Sequence, residues 1–265
     1  MNKISRSEFL KISSASIGGI LLLPHHSCSG TSNKKLTING ISNYQIVIPN
    51  NPSKIEKEAS NQLKEHLLLL SSKAPKIINE TEYVGRNGIF IGKTKYVNNN
   101  NIDTNTLEED GFMFKNSGDD FFIQGGSEKG LLFGVYSLLE SFGFRKYAAD
   151  DPLDIPSTIN LELPNDVIKV PKINYRTTNY YEGRDSEYAD WNKLSSSDSW
   201  GLFVHTFEVL VPPEKYGESN PEYYSLINGE RNVVTQLCLT NQDMFDVLVK
   251  DLRKRINENP KAKYW

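Results

Sequence analysis

Tyr44-Gln45-Ile46-Val47-Ile48-Pro49-Asn50-Asn51-Pro52-Ser53 is the stretch on which the reading of the fold turns. Residues 44–48 alternate like a strand, and Pro49, Asn50, Asn51 and Pro52 end it. Ser53 then stands where a helix needs its cap, with Glu56 three residues on as the reciprocal partner. Ile55, Ala59, Leu63, His66, Leu67 and Leu70 recur at helical spacing and predict an amphipathic helix over 54–70. A strand feeding a capped helix through a proline turn opens an α/β layer.

Working outward, Ile77-Ile78 reads as a weak strand and Gly88-Ile89-Phe90-Ile91-Gly92 as a strong one. The asparagine run 98–101 reads as a loop, and Glu108-Glu109-Asp110 as more solvated surface. Residues 111–115 and 120–124 are strand-like, and Asn116-Ser117-Gly118-Asp119 between them is a hairpin turn. A second amphipathic helix is predicted over 129–142 through Leu132, Val135, Tyr136 and Leu139, with Gly143 placed as its C-cap. Gly125-Gly126-Ser127-Glu128-Lys129-Gly130 has the spacing of neither phosphate-binding glycine motif and reads as a tight strand-to-helix turn. This order predicts an α/β sandwich over 44–146, with both helices on one face of a mostly antiparallel or mixed sheet.

Upstream, residues 1–30 carry Lys3, Arg6 and Lys11, then the short apolar run Ile17-Gly18-Gly19-Ile20-Leu21-Leu22-Leu23. That run is far below the ~20 residues of a membrane-spanning helix. The segment reads as an export signal, the competing reading being a buried N-terminal helix. Ser27-Cys28-Ser29-Gly30 resembles the end of a bacterial lipoprotein signal, which implies lipidation and membrane attachment at Cys28. The localisation that follows is exported, either periplasmic or at the cell surface as an outer-membrane lipoprotein. Residues 31–43 form a polar spacer.

Downstream, 147–171 is rich in Pro and Asp and reads as a linker or lid with one short strand at 159–163. Beyond it, 172–265 changes character. Strand-like 173–180 runs into a polar loop, 190–194 around Trp191 suggests a short helical piece, and 202–207 reads as a strand carrying His205. Asn228-Gly229 is a turn signal, 236–239 another strand, and Asn241 caps a helix over 243–257 that Pro260 stops. Residues 262–265 look like the start of a further strand. This β/α alternation predicts the beginning of a parallel barrel or open sheet, and a chain that is a fragment of a longer one, because closing a barrel takes ~250 residues, the competing reading being a compact second lobe.

Composition narrows the function. Of 265 residues, 38% are hydrophobic and 24% charged, which describes a globular chain with a polar surface. Lys and Arg number 30 against 33 for Asp and Glu, without a basic-dense stretch, so nucleic acid is not an expected partner. Four histidines, His25 and His26 among them in the leader, cannot build a multi-histidine zinc site, and neither metal nor cofactor is expected. Cys238 follows a leucine in a predicted strand and reads as a buried, inert thiol.

Residues 44–142, through Tyr44-Gln45-Ile46-Val47-Ile48-Pro49, Gly88-Ile89-Phe90-Ile91-Gly92 and Gly130-Leu131-Leu132-Phe133-Gly134-Val135-Tyr136, resemble the N-terminal α/β domain that precedes the barrel in β-N-acetylhexosaminidases and α-glucuronidases. Residues 175–265 are similar to an uncharacterised family, a domain of unknown function common in polysaccharide-degrading Bacteroidetes. Trp200-Gly201-Leu202-Phe203-Val204-His205-Thr206-Phe207, Asn220-Pro221-Glu222-Tyr223-Tyr224 and Gln236-Leu237-Cys238-Leu239-Thr240-Asn241 carry that likeness. The resemblance implies a hexosaminidase-like domain followed by the start of a (β/α)8 TIM barrel. It also implies an exported glycoside hydrolase-like protein acting on glycan fragments, with a non-catalytic carbohydrate-binding surface lipoprotein as the alternative. Catalytic carboxylates are expected beyond residue 265, and Glu182, Asp185, Glu187, Asp190, Glu208, Glu214 and Glu222 form no recognisable pair.

Arg176 matches in position an arginine that hexosaminidases use against sugar hydroxyls, and the competing reading is a structural ion pair. Tyr180, Tyr181 and Trp191 offer flat faces suited to sugar rings or, equally, to interface packing. His205 stands between a hydrogen bond to substrate, a proton-transfer role and a satisfied core position. Carbohydrate is the expected ligand.

Overall fold

The computed structural model describes residues 36–157, 161–195 and 199–265, with Ile38, Asn39 and Glu182 described by their backbone alone. The expected export signal and Cys28 lie outside the described residues, as does part of the strand expected at 159–163.

A six-stranded sheet forms from β1 (Gln45–Ile48), β2 (Lys76–Asn79), β3 (Gly88–Ile91), β4 (Phe112–Ser117), β5 (Asp120–Gly125) and β6 (Val167–Lys169) in the order β2-β1-β3-β5-β4-β6. The pairs β1–β2, β1–β3 and β3–β5 are parallel, and β4 runs antiparallel to both β5 and β6. The sheet is therefore mixed, with a parallel half. The stretch read as linker or lid contributes its edge strand, at 167–169.

Register explains why so many apolar residues are tolerated. Ile46, Ile48, Ile89, Ile91, Phe121 and Ile123 turn to one face, where α1 (Lys54–Leu70) and α3 (Glu128–Ser141) bury Leu63, Leu67, Leu132 and Leu139 against them. Both long helices share that face and pack on each other, as their one-sided patterns require. The opposite face is not left to solvent. Val47, Phe90, Phe122 and Met113 turn to it, and Tyr83, Val97, Ile102 and Leu107 cover them from the β2–β3 and β3–β4 connections. The asparagine-rich stretch contributes to this cover through the short helix α2 (Lys95–Asn99), where a loop was expected.

Local chemistry fixes the helix positions. Ser53 and Glu56 form the reciprocal cap of α1, with Ser53 Oγ accepting from Glu56 N at 3.1 Å and Glu56 Oε2 from Ser53 N at 2.8 Å. Gly134 lets α3 settle onto the sheet, because a Cβ there would lie 3.0 Å from Ile123 Cγ2 and 3.3 Å from Phe112 Cβ.

Residues 171–265 depart from the expected barrel. After a run with no regular structure, a 3-10 turn (Tyr181–Arg184) leads into α4 (Ser186–Trp191), capped by Asp185. Then come α5 (Phe207–Leu210), α6 (Pro213–Tyr216), a hairpin of β7 (Tyr224–Ile227) and β8 (Glu230–Leu237), and α7 (Gln242–Glu258). The hairpin is antiparallel, and parallel pairing among the described residues here is the single bridge Trp200–Tyr264. Among the described residues the whole is a mixed α/β fold in which no barrel closes.

Two physical causes undo the β/α reading. Arg176 exchanges its backbone bonds with Ser195, so the predicted first strand is clamped by a loop instead of a neighbouring strand. Val204 and His205 have φ of 20° and 55°, so the predicted 202–207 strand breaks at its middle. Asn228-Gly229 turns the hairpin as expected, with φ of 52° and 86°. Around it, Leu210, Val211, Tyr223, Tyr224, Leu237 and Met244 form a separate small core.

Candidate functional site

The site grows from the first turn of α3. Ser127 caps that helix by accepting from Lys129 N and Gly130 N at 3.1 and 3.2 Å. This sets Glu128 and Lys129 toward a cleft whose wall Leu132 and Ile55 of α1 also reach. Facing them, the irregular run 175–184 and helix α4 enclose a cleft of about 860 Å³. Its apolar surface includes Tyr175, Tyr180, Trp200 and Phe203, and its charged groups are Glu128, Lys129, Arg184 and Asp190. Volume and lining, apolar with a few polar groups, suit a small organic ligand, for which ~300–1,000 Å³ is usual.

Asp190 is the carboxyl with altered chemistry. Burial pushes its pKa up, Lys129 Nζ at 3.7 Å pulls it down, and Glu58 raises it again, leaving it above the usual carboxylate range. It therefore keeps its proton to a higher pH than an exposed aspartate. Arg184 brings a guanidinium to the cleft, its carbon 5.3 Å from the centre of the Tyr181 ring. Thr177, Thr178 and Asn179 add hydroxyl and amide groups along one wall.

The residues singled out from sequence fall in different places. Tyr180 lines the cleft, 46% exposed and edge-on to Tyr188. Tyr181 lies beside it beneath Arg184 and is mostly solvent-facing. Trp191 is 1% exposed, wedged between Tyr136 and His66 at ring-centre distances of 4.8 and 5.4 Å, so its face is covered by protein. His205 sits on an exposed turn and does not line the cleft.

Arg176 is spent on the protein itself. Nη2 donates to Asp110 Oδ2 at 2.7 Å, Nε to the Lys193 carbonyl at 2.9 Å and Nη1 to the Ile173 carbonyl at 2.7 Å. Asp110 is thus not idle surface, and neither is Glu109, which pairs with Lys263. Cys238 is half-buried rather than buried, its sulfur 3.5 Å from the Thr240 hydroxyl, and that hydrogen bond lowers the thiol's pKa.

Of the loop carboxylates, Asp190 reaches the cleft. Asp185 caps α4 and Glu187 lies 4.0 Å from Lys146. Sequence reasoning missed Tyr175, Trp200, Phe203, Glu128 and Lys129. The last two carried a legible signal, since polar residues in the first turn of an otherwise buried helix must face an edge of the domain.

Residues 30–138 match the family described as Glycosyl hydrolase family 67 N-terminus, and residues 147–265 match the domain of unknown function DUF4838. No curated protein matches the chain. Among solved structures, one similar chain is a family GH115 4-O-methyl-α-glucuronidase with specificity for decorated arabinogalactans. It is 16% identical with a TM-score of 0.37, over 51% of this chain and 19% of that one. Another is a GH138 enzyme targeting pectin rhamnogalacturonan II, 12% identical with a TM-score of 0.30, over 83% of this chain and 24% of that one. The chain thus spans less than a quarter of the length of either structure. It joins a segment similar to the N-terminal domain of glycosyl hydrolase family 67 to a segment similar to DUF4838.

Proposed function

We propose that this chain forms the glycan-holding part of an exported glycoside hydrolase-like protein acting on polysaccharide or glycan fragments that contain uronic-acid or amino-sugar units. The observation that carries this reading is the cleft. Tyr175, Tyr180, Trp200 and Phe203 supply flat apolar surface for the C–H faces of sugar rings, and hydroxyl, amide and charged groups stand among them. Arg184 and Lys129 offer cations for a sugar carboxylate, whereas Glu128 offers an anion for an amino group. The match to a glycosyl hydrolase N-terminal family supports the same direction.

One observation favours the second reading, a non-catalytic carbohydrate-binding surface lipoprotein. Glycoside hydrolysis needs two carboxyls flanking the scissile bond. In the cleft Asp190 leans on Lys129, and Glu128 stands in the first turn of α3, where its charge suits the helix dipole. The deciding experiment measures binding of uronic-acid and amino-sugar oligosaccharides by calorimetry alongside hydrolysis of aryl α-glucuronides and β-N-acetylhexosaminides. Turnover that disappears in Asp190→Asn establishes an enzyme. Binding without turnover, weakened about fivefold by Tyr180→Ala through loss of ~1 kcal/mol of ring contact, establishes the binding role. Absence of both overturns the glycan reading.

A further inference from the structure

A second, smaller cavity of about 330 Å³ opens beside the cleft, and Lys129, Tyr175 and Ser195 belong to the walls of both. We propose that it is a second sugar subsite, taking a neutral pyranose unit joined to the unit in the larger cleft. The proposal rests on the glycan reading above and adds a direction and a chemistry to it.

Three observations carry the inference. First, Lys129, Tyr175 and Ser195 line both cavities, so the two are immediate neighbours, the arrangement that a ligand of two joined rings requires. Second, the smaller volume lies at the low end of small-molecule sites, enough for one ring and little more. Third, its charges balance in sign. Arg176 is paired with Asp110 at 2.7 Å and Lys263 with Glu109, and Glu108 and Lys129 add one charge of each sign, so three cations face three anions at its rim. A wall of this kind presents donors and acceptors in fixed positions without a surplus field of either sign. It suits hydroxyl groups and gives a carboxylate or ammonium little to gain. Asn174 and Ser199 add an amide and a hydroxyl there. The larger cleft differs, since Arg184 reaches it without a carboxylate among the described side chains at ion-pair distance.

Calorimetry of the full chain with glucuronic acid and with glucuronosyl-xylose tests this. The disaccharide is expected to bind about tenfold more tightly than the monosaccharide. Asn174→Trp, at an exposed position that lines the small cavity and not the large one, should erase that gain and leave the monosaccharide affinity unchanged. Glu109→Gln leaves the volume intact and releases Lys263 from its partner. It should raise affinity for digalacturonic acid at least threefold over the unaltered protein, a readout that stands even where the tryptophan variant fails to fold. Equal affinities for mono- and disaccharide, a gain that survives Asn174→Trp, or no response to Glu109→Gln overturns the subsite. Failure of every sugar to bind the unaltered chain overturns the glycan reading, and the subsite with it.

Discussion

Trp191 and His66 make one buried contact between the sheet layer and the C-terminal layer, and their chemistry can be tested separately. His66 Nδ1 donates to the Gln62 carbonyl at 2.7 Å, and the ring meets Phe144 edge-on at 5.2 Å. Burial pushes its pKa below the ordinary 6.5, against smaller opposing effects of the Gln62 carbonyl, Glu187 and Glu65. The unfolded chain therefore binds a proton more readily than the native one, and the linkage has a definite sign. His66's share of stability is full above pH 6.5 and declines as pH falls from there through the native value. Urea midpoints between about pH 7.5 and 5 should drop for the unaltered chain, and the drop should be smaller in His66→Phe. Trp191→Ala should cost about 3–5 kcal/mol, read as the loss of urea midpoint, because it empties a fully packed site. The pair also shows why site residues resist prediction from sequence. Tyr180 and Trp191 stand in the same aromatic and acidic surroundings along the chain, yet one lines the cleft and the other lies under a helix. Whether an aromatic face is open depends on which element covers it, and here that element is distant along the chain.

At the scale of elements, the legible parts were those whose signal is local. The capping box at Ser53 and Glu56, the turn at 116–119, the helix over 128–141 and the Asn241-capped α7 each rest on residues within a few positions of one another. Ser53→Ala should cost about 1 kcal/mol in thermal unfolding. Glu56→Ala should cost more, since its Oε1 also accepts from Lys93 N at 2.9 Å and ties α1 to the end of β3. Gly229→Ala should destabilise the β7–β8 hairpin by about 1 kcal/mol, because its φ of 86° suits glycine alone, and amide exchange at 224–237 should report it. Elements that depend on distant partners were not legible. Strand β6 has three residues and exists only as a partner of β4, and residues 173–180 carry a strand-like pattern but find a loop rather than a strand beside them. Alternation announces a half-buried extended segment; it does not say what pairs with it.

For the whole molecule, the joint between the two layers is the informative feature. Lys129–Asp190, Lys146–Glu187, Arg176–Asp110, Lys193–Glu140 and Lys263–Glu109 all run from 109–146 on one side to 176–263 on the other. Single exposed pairs contribute ~0–1 kcal/mol, but several in one seam act together and are weakened together by salt. Limited proteolysis should therefore cut within 172–200 several times faster in about 1 M sodium chloride than in about 0.05 M, with the sheet domain left intact. An unchanged cleavage pattern would mean that Trp191 and its neighbours hold the joint alone.

That seam gives the cleft an owner on each side. Ile55, Glu128 and Leu132 belong to the sheet layer, while Tyr180, Asp190 and Trp200 belong to the other. Any molecule seated there touches both, so its binding energy is added to the closed arrangement and withheld from the open one. A ligand would work as a mortar between courses, protecting the 172–200 stretch from protease at high salt and delaying its melting before that of the sheet. Occupancy could then be followed from the joint itself, with no assay of chemistry at all.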